Sequence, residues 1–170
     1  MTQSIESTAA PSGAAQAGKY LTFTLGQESY GIAVLKIREI IRMPEVTSIP
    51  QMPEYIRGVI NLRGKIIPVI DLRKRFHLTG EAAGDRICIV VVQVALADAR
   101  TTLMGMVVDA VEEVVSIQAG EVEETPRFGS QLSADYILGI AKVKNRVKTL
   151  LDIDRVIAAE ALAETVALAA

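Results

Sequence analysis

Six of the twenty residues from Arg57 to Phe76, RGVINLRGKIIPVIDLRKRF, are lysine or arginine, against one acid. Two Arg-Gly pairs flank a short apolar run, and five further apolar residues, IIPVI, lead to Asp71. Basic residues beside glycines can cradle a phosphate, grip nucleic acid or hold another protein. A phosphate cradle needs consecutive amides turned to one point. Here large apolar residues separate the two pairs, and the chain has neither a GxxxxGK[ST] loop nor a GxGxxG turn.

The remaining chemistry-bearing side chains are few. Asp71 and Asp152 each follow an apolar run and precede a helix-like segment, DLRKRF and DIDRVI. That is the place of an N-cap, where a carboxylate accepts from free first-turn amides and meets the positive end of the helix. Capping is therefore expected in place of general-base work. His77 is the only histidine and Cys88 the only cysteine, so a metal site of the usual His/Cys type cannot be assembled. No GxSxG elbow offers His77 a nucleophile, and an exposed position at a helix end is expected. Cys88 lies in ICIVVV and reads as a buried free thiol. A protein without catalysis, metal or cofactor is expected.

Composition narrows the partners. A net charge of −2 opposes wholesale electrostatic binding to nucleic acid. With no Trp, four Tyr and three Phe, platforms for base stacking are scarce. A nucleic-acid-binding double barrel using the basic hairpins stays a remote alternative. A lone cysteine suits a reducing compartment. The opening MTQSIESTAAPSGAAQAG lacks the basic start and apolar stretch of a secretory signal. No apolar run approaches the roughly 18 residues of a membrane helix. A cytoplasmic protein without membrane insertion is expected.

The elements that must position the basic segment are short and β-rich. Residues 1–18 hold almost no large apolar side chains and read as a disordered arm. Residues 158–170, alanine-rich, read as a helix or frayed tail. Between them lie about ten runs rich in Ile and Val, separated by turn residues such as Gly26 and Gly64, a spacing that suits barrels or a sandwich.

An internal repeat organises these runs. YIRGVINLRGKIIPVIDL, residues 55–72, aligns without a gap to YILGIAKVKNRVKTLLDI, residues 136–153, at an offset of 81. Tyr55 meets Tyr136, Gly58 meets Gly139, and Asp71 meets Asp152. YGIAVLKIREII aligns to MGMVVDAVEEVV at an offset of 74, with Gly31 on Gly105, Val34 on Val108, Ile37 on Val111 and Glu39 on Glu113. Two barrel-sized lobes of about five strands are expected, near 19–80 and 85–157, packed together because neither makes a comfortable core alone.

Within the repeat, Asn61-Leu62-Arg63-Gly64 is replaced by Lys142-Val143-Lys144-Asn145, so this hairpin end reads as specialised in one copy. From Asp109 to Glu124 there are six acids and no base, giving an acidic surface to set against the basic one. A strand over VLKIREII places Ile37, Glu39 and Ile41 on one face and Arg38 and Ile40 on the other. The loop MPEVTSIPQMPEY has three prolines to stiffen it and two methionines suited to adaptable contacts.

FTLGQESYGIAVLKIREI, IRGVINLRGKIIPVIDLR and GMVVDAVEEVVSI resemble the CheW family of bacterial chemotaxis coupling proteins, from about Tyr20 to Ile157. The resemblance implies a mainly β fold, two five-stranded SH3-like barrels packed around a shared hydrophobic core with short helices. It implies a non-catalytic adaptor joining the cytoplasmic tip of a methyl-accepting chemoreceptor to the regulatory domain of the histidine kinase CheA. By matched positions, a receptor helix would lie in a groove between lobes using Ile37, Gly58, Arg63, Ile87, Met106, Val111 and Val114. The kinase would meet the first lobe at Val34, Glu39 and Ile66, and a Glu39–Arg63 ion pair would link the two surfaces. Ring formation with further copies, and recruitment to membrane-associated receptor arrays, are also implied. A type IV pilus or other chemosensory-like pathway is the same-class alternative.

Overall fold

The Ile- and Val-rich runs form strands because branched side chains pack well on a pleated surface. The structure, a computed structural model, describes residues 17–80, 84–96, 100–123 and 136–157. Most of the expected arm over 1–18 and all of the expected tail over 158–170 lie outside the described residues. The described residues form eleven strands: β1 (Gly18–Leu25), β2 (Glu28–Ala33), β3 (Ile37–Arg42), β4 (Ile56–Leu62), β5 (Lys65–Asp71), β6 (Cys88–Ala95), β7 (Thr101–Val108), β8 (Ala110–Ile117), β9 (Val122–Glu123), β10 (Ile137–Val143) and β11 (Arg146–Leu151). Two short helices follow the equivalent strands of each half, α1 (Leu72–Arg75) after β5 and α2 (Ile153–Ile157) after β11.

The sheets do not follow the division into 19–80 and 85–157. One sheet has the order β3-β6-β7-β5-β4 and the other β8-β1-β2-β11-β10-β9. Each half lends its opening hairpin to the other: β6–β7 complete barrel one, and β1–β2 complete barrel two. Sequence similarity identifies which strands correspond, but not which sheet each one joins. The exchange occurs at two short junctions, the 3-10 turn Val34–Lys36 between β2 and β3, and Asp109 between β7 and β8. Both are pinned by charge. Lys36 Nζ lies 2.6 Å from Asp154 Oδ2, and Arg73 forks onto Asp109 at 3.1 and 3.0 Å.

Register carries the repeat down to single residues. The parallel ladder of barrel one pairs Val69 with Gly105, and that of barrel two pairs Leu150 with Gly31. Both glycines make room for a neighbouring strand, β11 for Gly31 and β6 for Gly105. A Cβ on Gly31 would stand 3.0 Å from Leu150 Cδ2, and one on Gly105 would stand 2.8 Å from Ile89 Cγ2.

Among the described residues four register shifts of the bulge type occur, again in equivalent pairs. Arg38 on β3 and Glu112 on β8 are skipped by the pairing, as are Arg57 on β4 and Leu138 on β10. A bulge turns the side chains beyond it to the other face. Ile37 and Ile41, which uninterrupted alternation would put together, therefore pack in different cores. Ile37 joins the shared core between the barrels, with Phe23, Ile70, Val92 and Met106, whereas Ile41 joins barrel one's interior with Ile60, Ile67 and Val91. Across the repeat, Val111 joins the shared core, and Val115 joins barrel two's interior with Tyr20 and Leu150.

The halves meet at Arg75. Its guanidinium stands 5.4 Å from the centre of the Tyr55 ring and 5.3 Å from that of Tyr136, two equivalent tyrosines, so that it is held by both π-faces. Its Nε also donates to the Val156 carbonyl at 3.2 Å. The two methionines of the 43–55 loop are absorbed into packing, Met43 against barrel one's interior and Met52 against the shared core.

Candidate functional site

Turn chemistry builds the first part of the site. β4 and β5 are joined through Arg63 and Gly64, at φ 53° and 89°, with Leu62 opposite Lys65. Two successive left-handed residues make the tight hairpin turn whose twist matches that of the strands. The turn carries Arg63 across the barrel mouth to β3, at the far edge of the same sheet. There Nη1 and Nη2 donate to the two carboxylate oxygens of Glu39 at 3.1 and 2.6 Å. This planar fork is available to arginine and not to lysine. The hydrogen bonds from Arg63 hold the Glu39 carboxyl below the ordinary glutamate range and raise the guanidinium in turn.

The hairpin end of the second barrel keeps the turn and the charge but not the fork. β10 and β11 turn through Lys144 and Asn145 at φ 53° and 66°, and Lys144 Nζ lies 2.9 Å from Glu113. Offsets of 81 and 74 carry Arg63 onto Lys144 and Glu39 onto Glu113. Each barrel thus has a charged clasp between its hairpin and its edge strand, forked in one and single in the other.

The strands that carry each clasp also bear exposed apolar side chains in equivalent places. Ile40 and Ile66 on barrel one are 45% and 46% exposed, and Val114 and Val147 on barrel two are 54% and 56% exposed. Apolar atoms beside a satisfied ion pair are surface that a protein partner can cover without stranding a charge.

The sequence-derived residues fall into three groups. Arg63, Ile66 and Val114 are exposed, and Glu39 is brought to Arg63. Val34, Ile37, Ile87 and Val111 are half-buried. Val34, Ile37 and Val111 pack on the shared core, and Ile87 on barrel one's interior. The Cys88 thiol next to Ile87 is half-buried and pushed up by that burial. The last two, Gly58 and Met106, do not reach the surface. Met106 is fully buried on β7, between Val90 of β6 and Ile70 of β5, because this central strand is packed on both faces. Gly58 is buried at φ 143° beneath the 47–48 backbone, where an added Cβ would stand 2.0 Å from the Thr47 carbonyl oxygen.

The structural aspartates behave as caps. Asp71 accepts from the amides of Arg73 and Lys74, and Asp152 from those of Asp154 and Arg155. His77 is exposed at the end of α1.

One cluster has no counterpart in the sequence reading. Lys148 lies inside barrel two, with its Nζ 2.9 Å from Ser29 Oγ and 3.1 Å from Glu112 Oε1. Ser29 also donates to the same Glu112 oxygen. Burial alone would raise the Glu112 carboxyl, but the hydrogen bonds from Ser29 and Lys148 hold it below its ordinary value. The strand RVKTLL shows the signal in retrospect, since a period of two puts Lys148 on the face of Leu150.

Residues 19–161 match the family described as CheW-like domain. The chain is 36% identical over 145 residues to the chemotaxis protein CheW of Klebsiella aerogenes, covering 85% of this chain and 84% of that one. It is 32% identical over 144 residues to the chemotaxis protein CheW of Treponema pallidum, covering 84% and 83%. Among solved structures it resembles the scaffolding protein TtCheW from Thermoanaerobacter tengcongensis, with a TM-score of 0.74 at 32% identity, covering 86% of this chain and 96% of that one. The match spans both barrels, in keeping with the paired SH3-like barrels expected.

Proposed function

Because this chain belongs to the CheW-like family, we propose that it is a non-catalytic chemotaxis adaptor that couples a chemoreceptor's cytoplasmic tip to the histidine kinase CheA. The observation that carries the site is the Glu39–Arg63 fork, which joins two elements assigned to different partners. Val34, Glu39 and Ile66 on barrel one meet the regulatory domain of the kinase. Ile37, Arg63, Ile87, Val111 and Val114 receive a helix of the receptor tip. Met106, in the shared core on which Ile37 and Val111 pack, shapes that groove from beneath, and neither it nor the buried Gly58 makes direct contact.

A helix laid into a groove is held chiefly by its apolar stripe. Ile37 and Val111, equivalent residues at the rim of the shared core, supply the matching apolar walls. The clasp charges fix direction and association rate more than affinity. No helix among the described residues is long and apolar enough to cross a membrane. The adaptor reaches membrane-associated arrays through the receptors, from the cytoplasm. Two equivalent but unlike clasps also suit head-to-tail contacts, in which barrel one of one molecule meets barrel two of the next and rings close if the rotation permits.

Co-purification with a receptor signalling fragment and a CheA regulatory domain tests the assignment. Ile37→Glu is expected to release the receptor fragment and keep the kinase, whereas Arg63→Glu weakens both. Wild-type recovery of both partners by both variants would remove the assigned surface.

A further inference from the structure

The buried cluster in barrel two sits behind the strand to which the receptor contacts Val111 and Val114 are assigned. Glu112, between them, is the residue that the β1–β8 pairing skips, with Thr22 opposite Glu113 and Phe23 opposite Val111. Its side chain turns inward to Lys148, whose side chain is only 3% exposed and reaches across from β11. Ser29 of β2 bonds both groups. Thr22 fastens the same place from β1, donating to the Glu113 carbonyl at 3.0 Å. Three strands therefore converge on one bulge.

Barrel one has the bulge without the anchor. The residue equivalent to Glu112 is Arg38, which turns outward and donates to Gln93 at 2.6 Å at the surface. The residue equivalent to Lys148 is Ile67, buried among hydrocarbon. Lys148 is buried and Glu112 is one-fifth exposed; a buried ammonium is costly to desolvate, and such a pair contributes little net stability when an apolar pair would fit. What such a pair supplies is a fixed register, because either charge is stranded if the bulge moves by one residue.

We propose that Lys148 is a positioning residue: by holding the bulge at Glu112 it fixes where β8 changes face, so that Val111 stands at the rim of the shared core and Val114 projects outward. This rests on the receptor-groove reading above, but its structural half is measurable without any partner.

Lys148→Met keeps the length of the side chain and removes the ammonium. Hydrogen exchange at residues 110–117 is expected to accelerate by about tenfold while residues 37–42, the matching strand of barrel one, stay as in the wild type. Affinity for the receptor signalling fragment is expected to fall by about tenfold, and affinity for the kinase regulatory domain to stay within about twofold. Should the stranded Glu112 prevent folding, Lys148→Met with Glu112→Leu removes both charges; the same pattern is expected, with a melting temperature near the wild type. Exchange that is unchanged, or that rises equally in both strands, overturns the proposal. So does receptor binding restored in the double variant. If exchange rises only in 110–117 while even the wild-type protein fails to bind the receptor fragment, the anchor stands and the groove assignment falls.

Discussion

Barrel one is closed by an arginine fork and filled with hydrocarbon; barrel two is closed by a single lysine contact and carries an ion pair inside. The backbone plan is otherwise shared, down to bulges, left-handed turns and glycines opposite the same neighbours. A shared plan with unlike fillings separates what the fold requires from what each barrel has been adapted to do. The glycines, the capping aspartates and the two-residue turns belong to the plan. The interior pair Lys148–Glu112 and the fork Arg63–Glu39 belong to one barrel each.

The largest effect is expected from forcing barrel two's filling into barrel one. Ile67→Lys places an ammonium where Ile60, Val91 and Val107 surround it and the bulge carries an outward arginine instead of an acid. An uncompensated buried charge lowers stability by about 3–5 kcal/mol. Chemical denaturation measures it, and a loss below about 1 kcal/mol would show that barrel one can supply a partner or admit water.

The glycines test how alike the plans are. Gly58→Ala drives a methyl into the Thr47 carbonyl at a φ that side chains rarely adopt, and is expected to cost about 3 kcal/mol or more. Gly139→Ala meets Val122 Cγ1 at 2.6 Å and the Glu123 carbonyl at 2.9 Å, a milder clash in which one neighbour is a movable side chain. Its loss should lie near 1–2 kcal/mol, about half that of Gly58→Ala. Equal melting shifts would mean that the 47–48 backbone yields as readily as the two-residue strand β9.

Capping gives a smaller contrast. Asp71→Ala and Asp152→Ala each remove the carboxylate oxygen that accepts from two backbone amides, a loss of about 1 kcal/mol. Asp71 should be the costlier, since its side chain is the more buried, while each meets one arginine, Arg57 at 3.3 Å and Arg155 at 3.5 Å. Thermal melts of both variants would rank them.

How much of this was legible depended on whether a feature is local or paired. The capping aspartates, the turn glycines and the equivalence of Gly58 with Gly139 were legible because each leaves a signature within a few residues. The exchange of hairpins was not, since β1–β2 and β6–β7 look alike whichever sheet they join. The bulges were not, since an extra residue in a strand shows only against its partner, and this misplaced Ile41 beside Ile37. Met106 entered the groove by its matched position in the family resemblance, and a matched position does not tell a rim from a centre, where Met106 lies fully buried. The clasp of barrel two was within reach. Offsets of 74 and 81 applied to Glu39 and Arg63 give Glu113 and Lys144, but the change from NLRG to KVKN drew attention to the difference in place of the shared charge.

The smallest effect bears most directly on the unlike clasps. Since the fork from Arg63 lowers the Glu39 pKa in the folded protein, its contribution to stability is complete above the unfolded glutamate value and is lost as pH falls through the folded one. Arg63→Ala should return Glu39 toward the ordinary range and flatten the acid limb of the stability profile between those two values. Arg63→Lys, which gives barrel one the clasp of barrel two, should return it part of the way, because a single ammonium retains the attraction and loses the second prong. Carboxyl chemical shifts followed by NMR from neutral to acid pH read Glu39 directly. If Glu39 titrates at the same pH in the wild type and in Arg63→Ala, the fork does not persist in solution and the two clasps differ in sequence alone. If Arg63→Lys matches the wild type, the planar geometry contributes nothing to the free protein, and the arginine is there for a partner's carboxylate.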